Sequence, residues 1–227
     1  MPLTNRVAPT GDILALPIRG DMMGNRGVLH DADGRIVRPW NLRAWLICRT
    51  EFNGRHRTVM TPDRYTELFF LDEVHALAAG HRPCHECRRA ACRTFLAKAG
   101  HRRTGTLDDA LEAERLTGRR GQRRRSRKPL RHEAVAADLP EGSMVLVRRT
   151  VFALTDGGFI AWSDDDPGRY APRLTGRPKR DAATLWATIQ SEAPLTVLTP
   201  PTTRTALAAA YEPRWHASAA DAERVSA

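Results

Sequence analysis

Four cysteines occur in the chain, and three of them, Cys84, Cys87 and Cys92, fall within nine residues. Cys84-His85-Glu86-Cys87 is a C-x-x-C, a spacing that lets two sulfurs converge on one ion in a tight turn. The thiolate is both metal ligand and nucleophile, and a helix start and neighbouring arginines favour it. Redox dithiols share the spacing, but no strand–helix–strand pattern precedes this one. In a reducing compartment such a cluster reads as metal binding or catalysis before disulfides. Zn2+ is therefore the expected cofactor, with Cys84 and Cys87 as ligands.

The elements that must position this pair are short. Residues 66–71 read as a strand, after which Asp72 can cap a helix and Glu73 suits its positive start. Val74, Leu77 and Ala78 recur at helical spacing, and Gly80 can end the helix in the left-handed conformation. Pro83 stiffens the approach to Cys84. A second helix is predicted from about Cys87 to Lys98 and a third over 107–116. Upstream, residues 44–48 form a strand-length apolar run, and Phe52-Asn53-Gly54-Arg55 is a turn after which a hairpin is expected. Downstream, 144–147, 151–154 and 159–162 read as strands, the last two joined at Asp156-Gly157-Gly158. A long loop is expected over 163–181. A strand over 195–198 leads to a helix over 204–210 with Thr202 or Thr203 as its cap. Val197 to Pro213 echoes Phe70 to Pro83: strand, cap, short Ala-rich helix, then x-Pro.

Residues 69–88, from Phe69 to Arg88, resemble the second half of the metal-binding domain of the Ada family of bacterial alkylation-damage response proteins. The shared features are a strand, then Ala-Leu-Ala-Ala-Gly-x-Arg-Pro-Cys-x-x-Cys. The resemblance implies that Cys84 and Cys87 ligate zinc. In that family an upstream Cys-Arg-Pro-x-Cys supplies the other two cysteines, one of which accepts a methyl group from a DNA phosphotriester. Ile47-Cys48-Arg49 is the nearest counterpart, with Phe52 where the second cysteine would fall, so Cys48 is the implied third ligand. The fourth ligand is open among Cys92, His56, His81 and His85. Cys92 lies about 140° round a helix from Cys87 and would point away from the ion, which fits a buried free cysteine.

The net charge is +10. Residues 117–131 hold eight basic residues and no acid, and residues 82–103 hold seven against Glu86. Two such blocks point to a polyanion partner, most often nucleic acid. Arg82, Arg88 and Arg89 would present charge beside the zinc, and Arg123, Arg124 and Arg125 would clamp phosphates from a mobile linker. Asp164 to Asp166 and the acids of 108–114 read as a solvated turn and a charged helix face. The apolar segments are too short to span a membrane, and a cytoplasmic protein is expected. The fold class is α+β, with a zinc-binding part over 1–116, a basic linker over 117–131, and a small β-rich part with a C-terminal helix over 132–227. Three functions fit: a nucleic-acid-binding zinc protein with a role in DNA repair or damage response, a zinc-stabilised interaction module, or an enzyme that accepts alkyl groups on Cys48.

Overall fold

The computed structural model describes residues 2–54, 58–117, 129–162, 166–171, 187, 189, 191, 194–222 and 224–225. The fold is α+β, built on two six-stranded sheets. The first holds β1 (Arg6–Val7), β2 (Ile13–Leu14), β3 (Met22–Asn25), β4 (Leu46–Arg49), β5 (Leu68–Phe70) and β6 (Arg82–Pro83), in the order β2-β1-β5-β3-β4-β6. β1 runs parallel to β5, and β6 parallel to β4. The second holds β7 (His132–Ala134), β8 (Met144–Val147), β9 (Thr150–Thr155), β10 (Gly158–Trp162), β11 (Leu195–Val197) and β12 (Arg224–Val225). Its order is β12-β10-β9-β8-β11-β7, with every pairing antiparallel. Among the described residues, the helices α1 (Glu73–Ala78), α2 (Arg89–Lys98), α3 (Thr104–Arg115) and α4 (Pro201–Ala208) accompany the sheets. None of the described helices is long and apolar enough to cross a membrane.

Side chains alternate across a strand, and that alternation divides the first sheet into two unlike faces. Met22, Ile47, Leu68 and Phe70 lie on one face, fully buried with Phe95 of α2, Leu107 and Leu111 of α3, and Leu207 of α4. Gly24 belongs to this face because a Cβ there would sit 2.2 Å from the Phe70 ring. The opposite face carries Met23, Asn25, Leu46, Cys48, Glu67 and Phe69, and it looks onto a cavity.

Helix α1 is buried on all sides, as a short helix between two layers must be. Ala76 and Leu77 pack into the first core, whereas Val74 and Ala78 pack against Met144, Ile160 and Trp162 of the second sheet. Burial of Val74 and Leu77 stabilises the fold by roughly 1.5–3 kcal/mol each. Asp72 caps α1 by accepting from the His75 N–H at 2.9 Å, as its sequence position predicts.

Three predicted boundaries move. Helix α3 starts at Thr104 rather than 107. Helix α4 starts at Pro201, where a missing N–H is harmless, and the Glu114 carboxylate caps it by accepting from the Thr202 N–H and hydroxyl. It packs against α2 and α3, so the last helix belongs with the first sheet. After Cys48 no hairpin forms among the described residues. β4 pairs instead with β3 and β6.

Candidate metal centre

Cys48 stands on β4 opposite Met23, on the cavity face of the first sheet. β6 lies along β4 with Ile47 opposite Pro83, and the Cys84 N–H donates to the Ile47 carbonyl at 2.9 Å. That parallel pairing closes the long sequence gap and sets Cys84 beside Cys48. Pro83 takes the sheet edge, where a missing N–H disturbs no ladder. The chain then turns, with the Arg88 N–H donating to the Cys84 carbonyl at 3.1 Å, and Cys87 swings back before α2 begins.

The sulfurs of Cys48, Cys84 and Cys87 lie within 4.8 Å of one another, the one group of three or more His, Cys, Asp or Glu among the described residues that can hold a metal ion. Metal–sulfur bonds near 2.3 Å in a tetrahedron put sulfurs about 3.8 Å apart, which small side-chain adjustments reach. Backbone donors already face two of them: Glu86 N–H points at Cys84 Sγ at 3.4 Å, and Arg49 N–H at Cys87 Sγ at 3.5 Å. Hydrogen bonds from the Cys48 and Cys87 thiols hold Cys84 well below the usual thiol range, against the effect of burial. Cys48 is pushed up by its bonds to Cys84 and Cys87 and by burial. The bond with Cys48 favours the Cys87 thiolate, but the bond with Cys84 and burial outweigh it and raise Cys87. The three sulfurs thus share hydrogen bonds in one cluster, with Cys84 the one favoured as thiolate, the donor chemistry of a site that a cation completes.

Three sulfur ligands would leave a position open, and beside them lies a cavity of about 640 Å³ lined by Phe52, Tyr65 and Phe69 together with Glu67. Glu67 is 4% exposed. Its Oε2 accepts from the Met60 N–H at 2.9 Å, while Oε1 has no partner. The alternation of Glu67-Leu68-Phe69-Phe70 shows that Glu67 and Phe69 share a face. Only the register with β3 and β4 shows that Cys48 shares it too.

The remaining candidates go elsewhere. Cys92 is buried in α2, where desolvation raises its thiol and nearby Arg82 partly offsets this. His81 is fully buried between the Phe70 and Trp45 rings, with Nε2 accepting from Arg26 Nε at 3.0 Å. His85 is exposed on the turn. His56, Arg123, Arg124 and Arg125 lie outside the described residues, as do 118–128 of the basic segment and Asp164 and Asp165.

Of the arginines expected to face outward here, two are held inside. Arg82 Nε and Nη2 donate to both Asp108 oxygens at 2.8 Å, deep in the protein. Arg88 grips both Glu73 oxygens at 2.8 and 2.6 Å. Their charge is consumed in bidentate pairs, and the pairs brace the turn from both sides. Arg89 is exposed, as are Arg49 and Arg93. The acids of α3 are likewise committed: Asp108 to Arg82, Asp109 to Arg43 and Glu114 to Thr202.

Comparison with family models, curated proteins and solved structures gives no match for this chain.

Proposed function

We propose that the chain is a zinc protein that contacts nucleic acid, with Cys48, Cys84 and Cys87 as zinc ligands and a fourth position turned toward the Glu67 cavity. The observation that carries this reading is the convergence of three sulfurs within 4.8 Å. Soft thiolates in a tetrahedral arrangement select zinc among the common divalent cations. The nucleic-acid half rests on the charge of +10 and on the seven basic residues of 118–128, with the exposed Arg49, Arg89 and Arg93 beside the centre. Zinc stoichiometry tests the first half. It is expected near one per chain in the wild type and in Cys92→Ser, and lost in Cys48→Ser and Cys84→Ser. Fluorescence anisotropy with a labelled duplex tests the second half, with affinity expected to fall steeply between 50 and 200 mM salt. A folded protein without metal, or binding insensitive to salt, overturns the corresponding half.

Cys48 on the cavity floor favours a second reading, alkyl acceptance. Its sulfur would take a methyl group from a phosphotriester while the C–O bond breaks and the phosphodiester leaves with the electron pair. A methyl mass on the Cys48 peptide after incubation with methylated DNA is the expected product. An unmodified peptide after prolonged incubation rejects it.

A further inference from the structure

A second cavity, about 700 Å³, lies away from the metal centre and shares no lining residue with the first. Its wall is unusual in charge. Arg26 is 1% exposed, and no carboxylate among the described residues pairs with it within ion-pair distance. Nε donates to the ring of His81, Nη1 reaches the carbonyls of Gly11 and Pro39, and Nη2 has no partner. The guanidinium lies over one Trp45 ring at 3.9 Å from its centroid, and Arg115 lies over the same ring at 4.1 Å. Arg115 is also buried, with Nη1 donating to the Gly80 carbonyl and Nη2 to that of Arg43. The hydrogen-bond partners of Arg26 are neutral, two carbonyls and an imidazole, and the Asp12 carboxylate acts on it only through space. Burial, then Arg26 and Arg115, hold that imidazole well below its ordinary range, so His81 stays an acceptor.

A buried guanidinium without an ion-pair partner among the described residues, in a low-dielectric wall, focuses its field into the adjoining space. Arg38 and Arg131, both exposed, add charge to the lining. The lining holds four arginines against two acids, Glu114, which accepts from Thr202, and Asp12, which accepts from the Thr10 hydroxyl. The rest of the wall is apolar or aromatic, including Ile13, Ile36, Trp40 and Leu116. The volume lies within the range of small-molecule sites, roughly 300–1,000 Å³.

We propose that this cavity binds a small organic oxyanion, a carboxylate or phosphate monoester on an apolar body, with Arg26 supplying buried countercharge and Arg38 and Arg131 the accessible charge. Burial and then the nearby Arg115 bring the Arg26 pKa down to about 9 against the opposing effect of the Asp12 carboxylate, so it remains cationic at neutral pH. The site is independent of the metal reading.

Calorimetric titration of the full chain with phenyl phosphate, benzoate and benzyl alcohol tests it. Both anions are expected to bind and to raise the melting temperature, at least tenfold tighter than the alcohol. Tighter phenyl phosphate indicates a phosphate ligand, and tighter benzoate a carboxylate. Arg26→Gln is expected to weaken the better anion at least tenfold. That variant also loses hydrogen bonds that support the fold, so Arg38→Gln and Arg131→Gln serve as a second pair, each expected to weaken binding about threefold. Absence of anion binding at 10 mM overturns the proposal. So does equal affinity for the alcohol, or unchanged affinity in every variant that folds.

Discussion

The chain turns out of helix α1 at Gly80 and out of helix α4 at Ala210, and both turns use the same two backbone hydrogen bonds. In the first, Gly80 N–H donates to Leu77 and His81 N–H to Ala76, and in the second Ala210 N–H donates to Leu207 and Tyr211 N–H to Ala206. Both turning residues have positive φ, 81° and 63°, the left-handed cap that closes a helix. Each helix follows a strand, and each is followed three residues later by proline. What differs is the destination. After Gly80 the chain pairs with β4 and delivers Cys84. After Ala210 it stays extended and delivers Tyr211, whose hydroxyl donates to Glu73 at 2.6 Å. The unit with cysteines builds the site, and the unit without them clamps it. A local pattern of caps and apolar residues thus sets the shape of a strand–helix unit, while its function depends on where the next few residues find a partner.

Metal removal should separate the two units most strongly. Metal binding to a small thiolate site is folding free energy, roughly 10–16 kcal/mol in isolated zinc-finger peptides, and less where a core already holds the fold. A strong chelator is expected to speed amide exchange at residues 82–88 and 46–49 by orders of magnitude, and to leave α4 protected. Equal loss of protection in both would show that the second unit has no stability of its own.

The joint between the units is Glu73. It is fully buried and accepts from Arg88, from the Tyr211 hydroxyl and from the Arg214 N–H. Glu73→Gln leaves Arg88 buried without a counter-charge, a change worth about 3–5 kcal/mol. Urea denaturation should show that loss, with Arg88→Met in addition restoring part of it.

Acid should act on the first unit through its buried histidines. His75 and His81 belong to it, and Thr205 and Tyr211 take the corresponding places in the second. Burial lowers His75 to about 3 and keeps His81 well below its ordinary range. The unfolded chain therefore binds protons near pH 6.5 that the folded chain refuses, so stability present above 6.5 is lost as pH falls. Asp72 opposes this. Desolvation raises it to about 6 despite hydrogen bonds from the His75 and His216 N–H groups and Tyr170, so its proton favours the folded state below 6, fully so below about 4. Each proton changes stability by about 1.4 kcal/mol per pH unit. With two histidines against one carboxyl, a net loss of about 3 kcal/mol is expected between pH 6.5 and 4.5. Asp72→Asn should steepen the slope, and a leucine at 75 should flatten it.

Much of the first unit was legible because its signals are local. The Asp72 cap, the Gly80 stop and the C-x-x-C all lie within sixteen residues of one another. What was not legible is non-local. Sequence shows that Arg82 and Arg88 are basic but not that Asp108, 26 residues on, and Glu73, 15 residues back, have claimed them. Cys48 reaches Cys84 only because β6 runs parallel to β4, a pairing no adjacent turn announces. Glu67 read as one polar residue in a strand until its register placed it on the same face as Cys48. Arg26, Trp45 and Arg115 come from three separate segments, so no window of sequence holds the cavity they line.

The closest test of the comparison is a pair of opposite substitutions at the two helix ends. Gly80→Ala puts a Cβ 2.3 Å from Arg115 Cδ and asks alanine for a left-handed backbone, itself worth about 1–2 kcal/mol. About 2–4 kcal/mol of destabilisation is expected, with weaker metal retention because β6 begins two residues later. Ala210→Gly is the reverse. Ala210 is exposed and already sits at φ 63°, so glycine relieves the backbone and removes no packing. Glycine's greater freedom in the unfolded chain takes back about 0.5–1 kcal/mol, leaving a gain of at most about 1.5 kcal/mol, read as a small rise in urea midpoint with metal content unchanged. A loss of stability in Ala210→Gly would mean that the methyl group supports the cap, and that the two ends are alike in hydrogen bonds only.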